Sequence, residues 1–409
     1  MAKRGHGEGS IRFMKASNRY QYRITYKDAN GKSHRKSFYG TKAAEARKKG
    51  NDWLAFYESS NKSSEIDPPL DRWIHLWLDT YMRHSVRPST LEKYTLCLKP
   101  IAKAFEGVRL SQLDSTRLQQ FFQNQLFKGG RSGQGLSPVT VRNQRRYLIS
   151  CIEMAVRLKL TRDNPAKLTL APKVEKSEIH PLSEMEVEVL LSVSRKNIED
   201  ARKAQKKDPD NTDRGILMGA ADLHIGVMIA VYTGMRLGEI MALKWSDLNT
   251  KTNFFSVQRS KSDVKGQFIT SPKTGKGRKV QIGKELLSDL RKHKRIQNEY
   301  KRELGNVYDD NNWIIGGLFG RGYNKHHYSS RKFQGLLKQA RIIRHIRFHD
   351  LRHTHATVLL LAGINPKIVQ ERLGHASIDM TLDTYSHLTL ANQGVAVDAL
   401  DNMFGKKEK

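Results

Sequence analysis

Strict alternation marks the start of this chain, and helical spacing marks most of the rest. Tyr20, Tyr22, Ile24 and Tyr26 fall on one side of an extended segment, with Gln21, Arg23 and Thr25 on the other. Residues 10–14 read as a short strand before it. Asn30-Gly31 is a strong turn signal, and residues 33–39 return as a third strand carrying Arg35 and Lys36. A helix over 41–57 follows, with Ala46, Trp53, Leu54 and Tyr57 toward the sheet. The polar run from Ser59 to Ser64, then Asp67-Pro68-Pro69, reads as a linker with a proline stop.

From 70 to 168 the periodicity is helical. Trp73, Leu76, Trp77 and Tyr81 share a helix face. Ser89-Thr90-Leu91-Glu92 has the form of a capping box, and Ser137-Pro138 that of a capped start with proline at the first position. Behind it Val141, Leu148, Ile152 and Ala155 form an apolar stripe edged by Arg142 and Arg146. Asp163-Asn164-Pro165 ends the bundle. Residues 171–180 read as a second linker, and Ser183-Glu184-Met185-Glu186 opens a further domain with another capping box. The very polar stretch 196–214 reads as a long loop or frayed helix. An apolar helix over 224–232 precedes three strands, 253–259, 266–271 and 277–282, and helices to the end. The fold class is therefore multidomain and mainly α. A three-stranded sheet plus helix (1–60) and a linker (61–69) precede a helical bundle (70–170). A second linker (171–180) leads to a mostly helical domain with a small three-stranded sheet (181–395) and a tail (396–409).

Length and charge narrow the function. A chain of 409 residues exceeds one ordinary core. The formal net charge is +31, with 72 Lys and Arg against 41 Asp and Glu. That excess repels itself unless a polyanion offsets it, and nucleic acid fits better than an anionic membrane. No apolar run reads as long enough to span a bilayer, and the first residues have no apolar core behind their charges. The expectation is a soluble cytoplasmic protein. Residues 1–50 hold 14 Lys and Arg against 3 Asp and Glu. Arg23, Arg35 and Lys36 then form a basic sheet face that could enter a major groove, or a solvated face of an accessory domain. Arg142 and Arg146 suit phosphate contacts, or an ordinary exposed helix face. Cys97 and Cys151 form no C-x-x-C and read as buried reduced thiols.

The chemistry concentrates in separated motifs: Thr233-Gly234-Met235-Arg236-Leu237-Gly238-Glu239, then His349-Asp350-Leu351-Arg352, then Leu373-Gly374-His375, then Thr384-Tyr385. A phosphodiester gains charge on its non-bridging oxygens in the transition state. Planar, always charged arginine is the best fixed clamp there. Histidine can donate to phosphate or move a proton near neutral pH. A tyrosine nucleophile needs help to lose its proton, and nearby cations supply it. Alone, each residue also has a plain structural use: a surface ion pair, a buried histidine, a packed aromatic ring.

Taken in order, Arg236, His349-x-x-Arg352, Leu373-Gly374-His375 and Tyr385 resemble the tyrosine recombinase family, the phage-type integrases, over about 180–395. The resemblance implies that Arg236 and Arg352 clamp the scissile phosphate and that Tyr385 attacks it, giving a 3′-phosphotyrosyl link. It makes His349 the acid/base and His375 a phosphate-side donor, with no cofactor and no metal. The family also uses a hairpin lysine as acid to the leaving 5′-oxygen. Lys273, before Thr274-Gly275, matches best, with Lys276 and Lys279 close by. By the same resemblance residues 1–60 bind arm-type DNA sites. Residues 70–170 bind the core site opposite the catalytic domain, and the active form is a tetramer on DNA. The apolar residues of the tail would dock on a neighbour or on their own domain. An excisionase and a DNA-bending host protein are the implied partners.

Three rivals share parts of the pattern. His349 and His353 have zinc-helix spacing, with His355 beside them, but no H-E-x-x-H is present. A DNA-binding regulator on the same scaffold would not need every catalytic residue type. A type IB topoisomerase shares the attack chemistry but not the basic N-terminal sheet.

Overall fold

The computed structural model describes residues 9–27, 33–62, 67–130, 132–175, 181–208, 214–262, 269–270, 277–378, 381–382 and 403–404. Lys273, Lys276, Tyr385 and all of the tail except Met403 and Phe404 lie outside the described residues. The chain divides into two compact units, Met1–Glu175 and Lys176–Lys409.

In the first unit β1 (Ser10–Met14), β2 (Arg19–Lys27) and β3 (Ser33–Gly40) form an antiparallel sheet with β2 in the centre. Helix α1 (Ala43–Lys62) covers one face. Tyr22, Ile24 and Ala46 are buried between them, with Ile11, Tyr20, Phe38 and Leu54 against them. The alternation thus places Gln21, Arg23 and Thr25 on the open face. Lys36 is a correction. It pairs with Ile24 across the strands, so it shares the helix-side face, and its Nζ lies 4.4 Å from the Trp53 ring. Burial pushes its pKa down. Adjacent strand positions face opposite ways, so Arg35 and Lys36 cannot share a surface.

The same unit continues through α2 (Leu70–Leu76), a π-helical turn over Trp77–Met82, α3 (Pro88–Ala104), α4 (Ser115–Lys128) and α5 (Pro138–Arg157). Their core holds Trp73, Trp77, Leu98, Phe122, Leu148 and Cys151. Trp73 Nε1 donates to the Cys151 carbonyl at 2.9 Å, which satisfies the one polar atom of that buried ring. Cys97 is half-buried, and both cysteines are free. Ser137 caps α5 as expected, accepting from Thr140 N. The capping box expected at Ser89 does not form. Pro88 already holds the first helical position with Arg87 as cap, so Ser89 is inside the helix.

In the second unit α6 (Glu184–Lys207) begins with the expected capping box, Ser183 with Glu186. It runs on to Lys207, where the sequence suggested a loop or frayed helix. Ile198 and Ala201 pack with Leu217, Met218 and Ile296, and Arg202 pairs with Glu299, so tertiary contacts hold a helix that its own apolar spacing does not announce. Helix α7 (Arg214–Thr233) is the central element. Over Gly215–Thr233 it is as long and apolar as a membrane span, which corrects the expectation that no run reaches that length. Most of it is buried inside the unit. It also carries Asp222 and His224, both buried: Gly317 N donates to Asp222 at 2.9 Å, and His224 lies between Ser194 (2.7 Å) and Asp289 (3.3 Å).

After α8 (Leu237–Ile240), strands β4 (Leu248–Asn249), β5 (Phe254–Val257) and β8 (Arg278–Gln281) form the small sheet. The middle expected strand does not join it. Strand β6 (Ser260–Lys261) pairs instead with β7 (Ile269–Thr270) as a separate ladder. Helix α9 (Lys284–Leu304) follows, and the chain then runs to Asn324 mostly without regular structure, where continuous helix was expected. Short α10 (Lys325–His327), a π-helical turn and α11 (Phe333–Gln339) lead to α12 (Asp350–Leu361) and α13 (Pro366–Leu373).

Asn164 ties the end of the helical bundle together. Its Oδ1 accepts from Ala166 N at 3.2 Å while Nδ2 donates to the Ile149 carbonyl at 2.9 Å. Asn164→Ala is expected to destabilise this unit by about 1–2 kcal/mol, read as a lower urea midpoint; an unchanged midpoint would show the cap is dispensable.

Candidate active site

The site is built where α7 ends. Gly234 leaves the helix at φ +63°, and a Cβ there would lie 2.5 Å from Leu373 Cδ2 and 2.6 Å from His355 Cδ2. Only glycine fits both the backbone and the space. The chain then turns into α8 with Arg236 at its cap. The Arg236 guanidinium donates from Nη1 to Glu239 at 3.1 Å and from Nη2 to the Gly374 carbonyl at 3.3 Å. Glu239 also accepts from the Arg236 backbone N–H at 3.0 Å.

Glu239 is 1% exposed and has a second cation, Arg278 at the start of β8, with contacts of 2.7 and 3.1 Å. Burial pushes the Glu239 pKa up, but the Arg278 hydrogen bonds and charge and the Arg236 backbone outweigh it, so the carboxylate stays below its usual value. Arg278 Nε reaches on to the Arg372 carbonyl in α13 at 3.0 Å.

His349 precedes the first residue of α12 without a side-chain capping bond, and Arg352 lies one turn further on, 3% exposed. Arg352 Nη1 donates to the Gly234 carbonyl at 2.7 Å, so it grips the loop that carries Arg236. Leu373-Gly374 makes the expected turn, with Gly374 at φ +69° and His375 N bonded to the Gln370 carbonyl at 3.1 Å. His375 Nδ1 lies 2.8 Å from Thr381 Oγ1.

The four groups share one field. Partial burial, then His353, Arg352 and Arg236 among its neighbours, push His349 down to about 4. Burial, then Arg352, Arg236, His353 and His349, push His375 down to about 4. Both imidazoles are therefore neutral near pH 7. The structure thus brings Arg236, His349, Arg352 and His375 together from separated segments. The cluster offers two fixed cations and two neutral imidazoles, which suits an anionic ligand with a proton to move.

Arg23 and Arg35 are exposed on the open sheet face, and Lys36 is not on that face. Arg142 is exposed on α5, and Arg146 lies 5.0 Å over the Tyr147 ring. His355 is not a partner for His349 and His353. Its Nδ1 donates to the Val231 carbonyl at 2.7 Å and its Nε2 accepts from Arg372 at 3.2 Å, so both ring nitrogens are engaged. Arg372 Nη2 in turn donates to the Tyr232 carbonyl at 2.8 Å. Sequence reasoning missed Arg278, His355 and Arg372 as supports. The i, i+3 spacing of His355 from Arg352 was the available signal for one of them.

Residues 193–392 match the model described as the phage integrase family, and residues 70–127 match its N-terminal SAM-like domain. A tyrosine recombinase XerC-like protein of Caldanaerobacter subterraneus subsp. tengcongensis is 28% identical over 94% of this chain and 96% of its own length. The fold resembles the Tn1549 transposon integrase in complex with transposon right end DNA, at TM-score 0.59 and 19% identity over 81% of this chain and 99% of that one. It also resembles a lambda integrase tetramer bound to a Holliday junction, at TM-score 0.55 and 18% identity over 94% and 96%.

The histidines give the second unit a pH dependence. Burial is the main force holding the pKa of His293 and of His355 at about 4, from the usual 6.5. Between pH 6.5 and 4 the unfolded chain binds protons that the folded state refuses, so this stability is complete above 6.5 and drains as pH falls toward 4. Asp222, raised to about 7 by burial, acts with the opposite sign. It is one group against His293, His355, His349 and His375. We expect a lower urea midpoint at pH 5 than at pH 7.5; an equal or higher one would contradict these protonation states.

Proposed function

This chain belongs to the phage integrase family, and from that premise we propose how its own residues work. It is a tyrosine-type site-specific recombinase that integrates mobile DNA elements by cutting and rejoining strands. In our reading the scissile phosphate lies against Arg236 and Arg352, each an invariant charge whose direction is set by a fixed acceptor, Glu239 or the Gly234 carbonyl. Tyr385 Oη attacks phosphorus and forms the 3′-phosphotyrosyl ester. The phenol proton passes to His349, whose neutral ring can accept it. The 5′-oxygen leaves with a proton from Lys273. With Nδ1 accepting the Thr381 hydroxyl, His375 has Nε2–H left to donate to a non-bridging oxygen. In the return step a 5′-hydroxyl attacks the ester and the phenol departs, so one phosphodiester replaces another and no external energy is needed.

The observation that carries this reading is the shared field of Arg236, His349, Arg352 and His375. Two guanidinium groups and two neutral imidazoles held together suit the charge that develops at phosphorus. Our reading extends to the DNA: the second unit and the helical bundle at 70–170 take the core site. The open sheet face with Arg23 and Arg35 takes an arm-type site, and Arg142 and Arg146 contact backbone phosphates. Four copies act together on DNA in the bacterial cytoplasm, with an excisionase and a DNA-bending host protein as accessory partners.

A nicked suicide duplex carrying the recombination site tests the assignment. Wild type should accumulate a covalent protein–DNA adduct, with EDTA present or absent. Tyr385→Phe should bind the duplex and form no adduct. Arg236→Ala and Arg352→Ala should each slow adduct formation by about 10²–10³-fold. An adduct mapped to a peptide without Tyr385 would refute the mechanism.

A further inference from the structure

The open face of the N-terminal sheet contains one polar group that its neighbours orient. Gln21 sits in the central strand, with Arg12 opposite it on one side and Tyr39 on the other. Its Nε2 donates to Ser37 Oγ at 3.0 Å and to Tyr39 Oη at 3.1 Å. Both amide hydrogens are thereby engaged, and the half-buried side chain is held toward β3. Around it Arg12, Arg19, Arg23 and Arg35 are exposed. Registers Arg12↔Gln21, Ser10↔Arg23 and Thr25↔Arg35 put Arg12, Arg23 and Arg35 on the same face as Gln21.

Long, exposed arginines at the border of such a face suit phosphates, which fix register without reading sequence. The centre of a β-ribbon in the major groove is what reaches base edges. We infer that Gln21 is a base-reading residue of this face, accepting a hydrogen bond at Oε1 from the exocyclic amino group of a cytosine or an adenine. This inference rests on the reading of the sheet as a DNA surface. The chemistry follows from the side-chain network. A glutamine free at both ends pairs with adenine bidentately, donating to N7 and accepting from N6. Here Ser37 and Tyr39 take the donor end, so the acceptor end is left, and the major-groove donors are cytosine N4 and adenine N6. Preorganisation adds to this, because the side chain has already lost the rotamer freedom that contact would remove.

Binding selection from a random-sequence duplex pool tests the inference with the full-length protein. Wild type is compared with Gln21→Ala, Gln21→Glu and the double charge reversal Arg23→Glu/Arg35→Glu. Wild type should enrich a motif that the charge reversal loses. At one position in that motif, exchanging the C or A for its analogue without the amino group should weaken wild-type binding about tenfold. Gln21→Ala should be insensitive to that exchange. Gln21→Glu, which keeps an acceptor, should remain sensitive. If Gln21→Ala enriches the same motif and responds to every analogue as wild type does, Gln21 reads no base while the sheet still binds DNA. If the charge reversal leaves the enriched motif intact, the sheet is not the DNA surface, and both readings fall.

Discussion

The buried Glu239 carboxylate is the interaction on which the second unit's site depends. It is enclosed by Arg236 and Arg278, and it takes the backbone N–H at the start of α8 as well. Removing water from a carboxylate is expensive, and two guanidinium groups with fork geometry offset that loss. Either arginine without Glu239 would keep a charge in a poorly hydrated position, a defect of about 3–5 kcal/mol for a buried pair broken on one side. The consequence reaches further than stability. Arg236 cannot turn freely while Glu239 holds Nη1 and the Gly374 carbonyl holds Nη2. Its direction is set in the free protein, and a preset charge of that kind needs no reorganisation to serve the clamp role proposed above. Through Arg278 the same carboxylate is linked to the Arg372 carbonyl, and so to the helix that delivers His375.

The C-terminal end of α7 is the second anchor. The last carbonyls of a helix have no partners within it. Here His355 takes Val231, Arg372 takes Tyr232 and Arg352 takes Gly234. Cations near a helix C-terminus are favoured by its dipole, so the same contacts that finish α7 also lock α12 and α13 onto it. That explains why residues more than a hundred positions apart in sequence arrive at one place. It also explains why an element as apolar as a membrane span belongs to a packed core. Its carbonyls at Val231 and Tyr232, the Asp222 Oδ2 atom and His224 each meet a protein group.

The chemistry was more legible in the sequence than the framework around it. Arg236, His349, Arg352 and His375 occur in short motifs whose order and wording are informative without a structure. Alternation in β2 was equally readable, because Tyr22 and Ile24 on one side and Arg23 on the other leave no second register. What failed failed for identifiable reasons. Lys36 was misplaced because the charge of a pair was read instead of its parity. Residues 196–207 looked like a loop because only Ile198 and Ala201 report the buried face, and their partners lie on other helices. Ser89 looked like a cap because Pro88 was not credited with starting the helix. Arg278 was hidden in a lysine-rich run, where nothing local marks one cation as buried and the others as solvated.

The charge of the chain can be understood from the same arrangement. Several acidic residues of the second unit are paired inside it: Glu239 with Arg236 and Arg278, Asp350 with Arg347, Asp289 with Arg195 and Lys292, Glu186 with Arg344. Asp350 lies beside His349, and its charge offsets only part of the effect of burial and of the cations there. Arg236 and Arg352 act on both rings, and neutral imidazole is the only state those rings can hold cheaply. A phosphate entering beside the arginines would reverse that balance, since a nearby anion favours the charged form of histidine. The anion would then raise the proton affinity of both rings, as the proposed proton transfers require. A site arranged this way stays uncharged at its histidines until an anion is present.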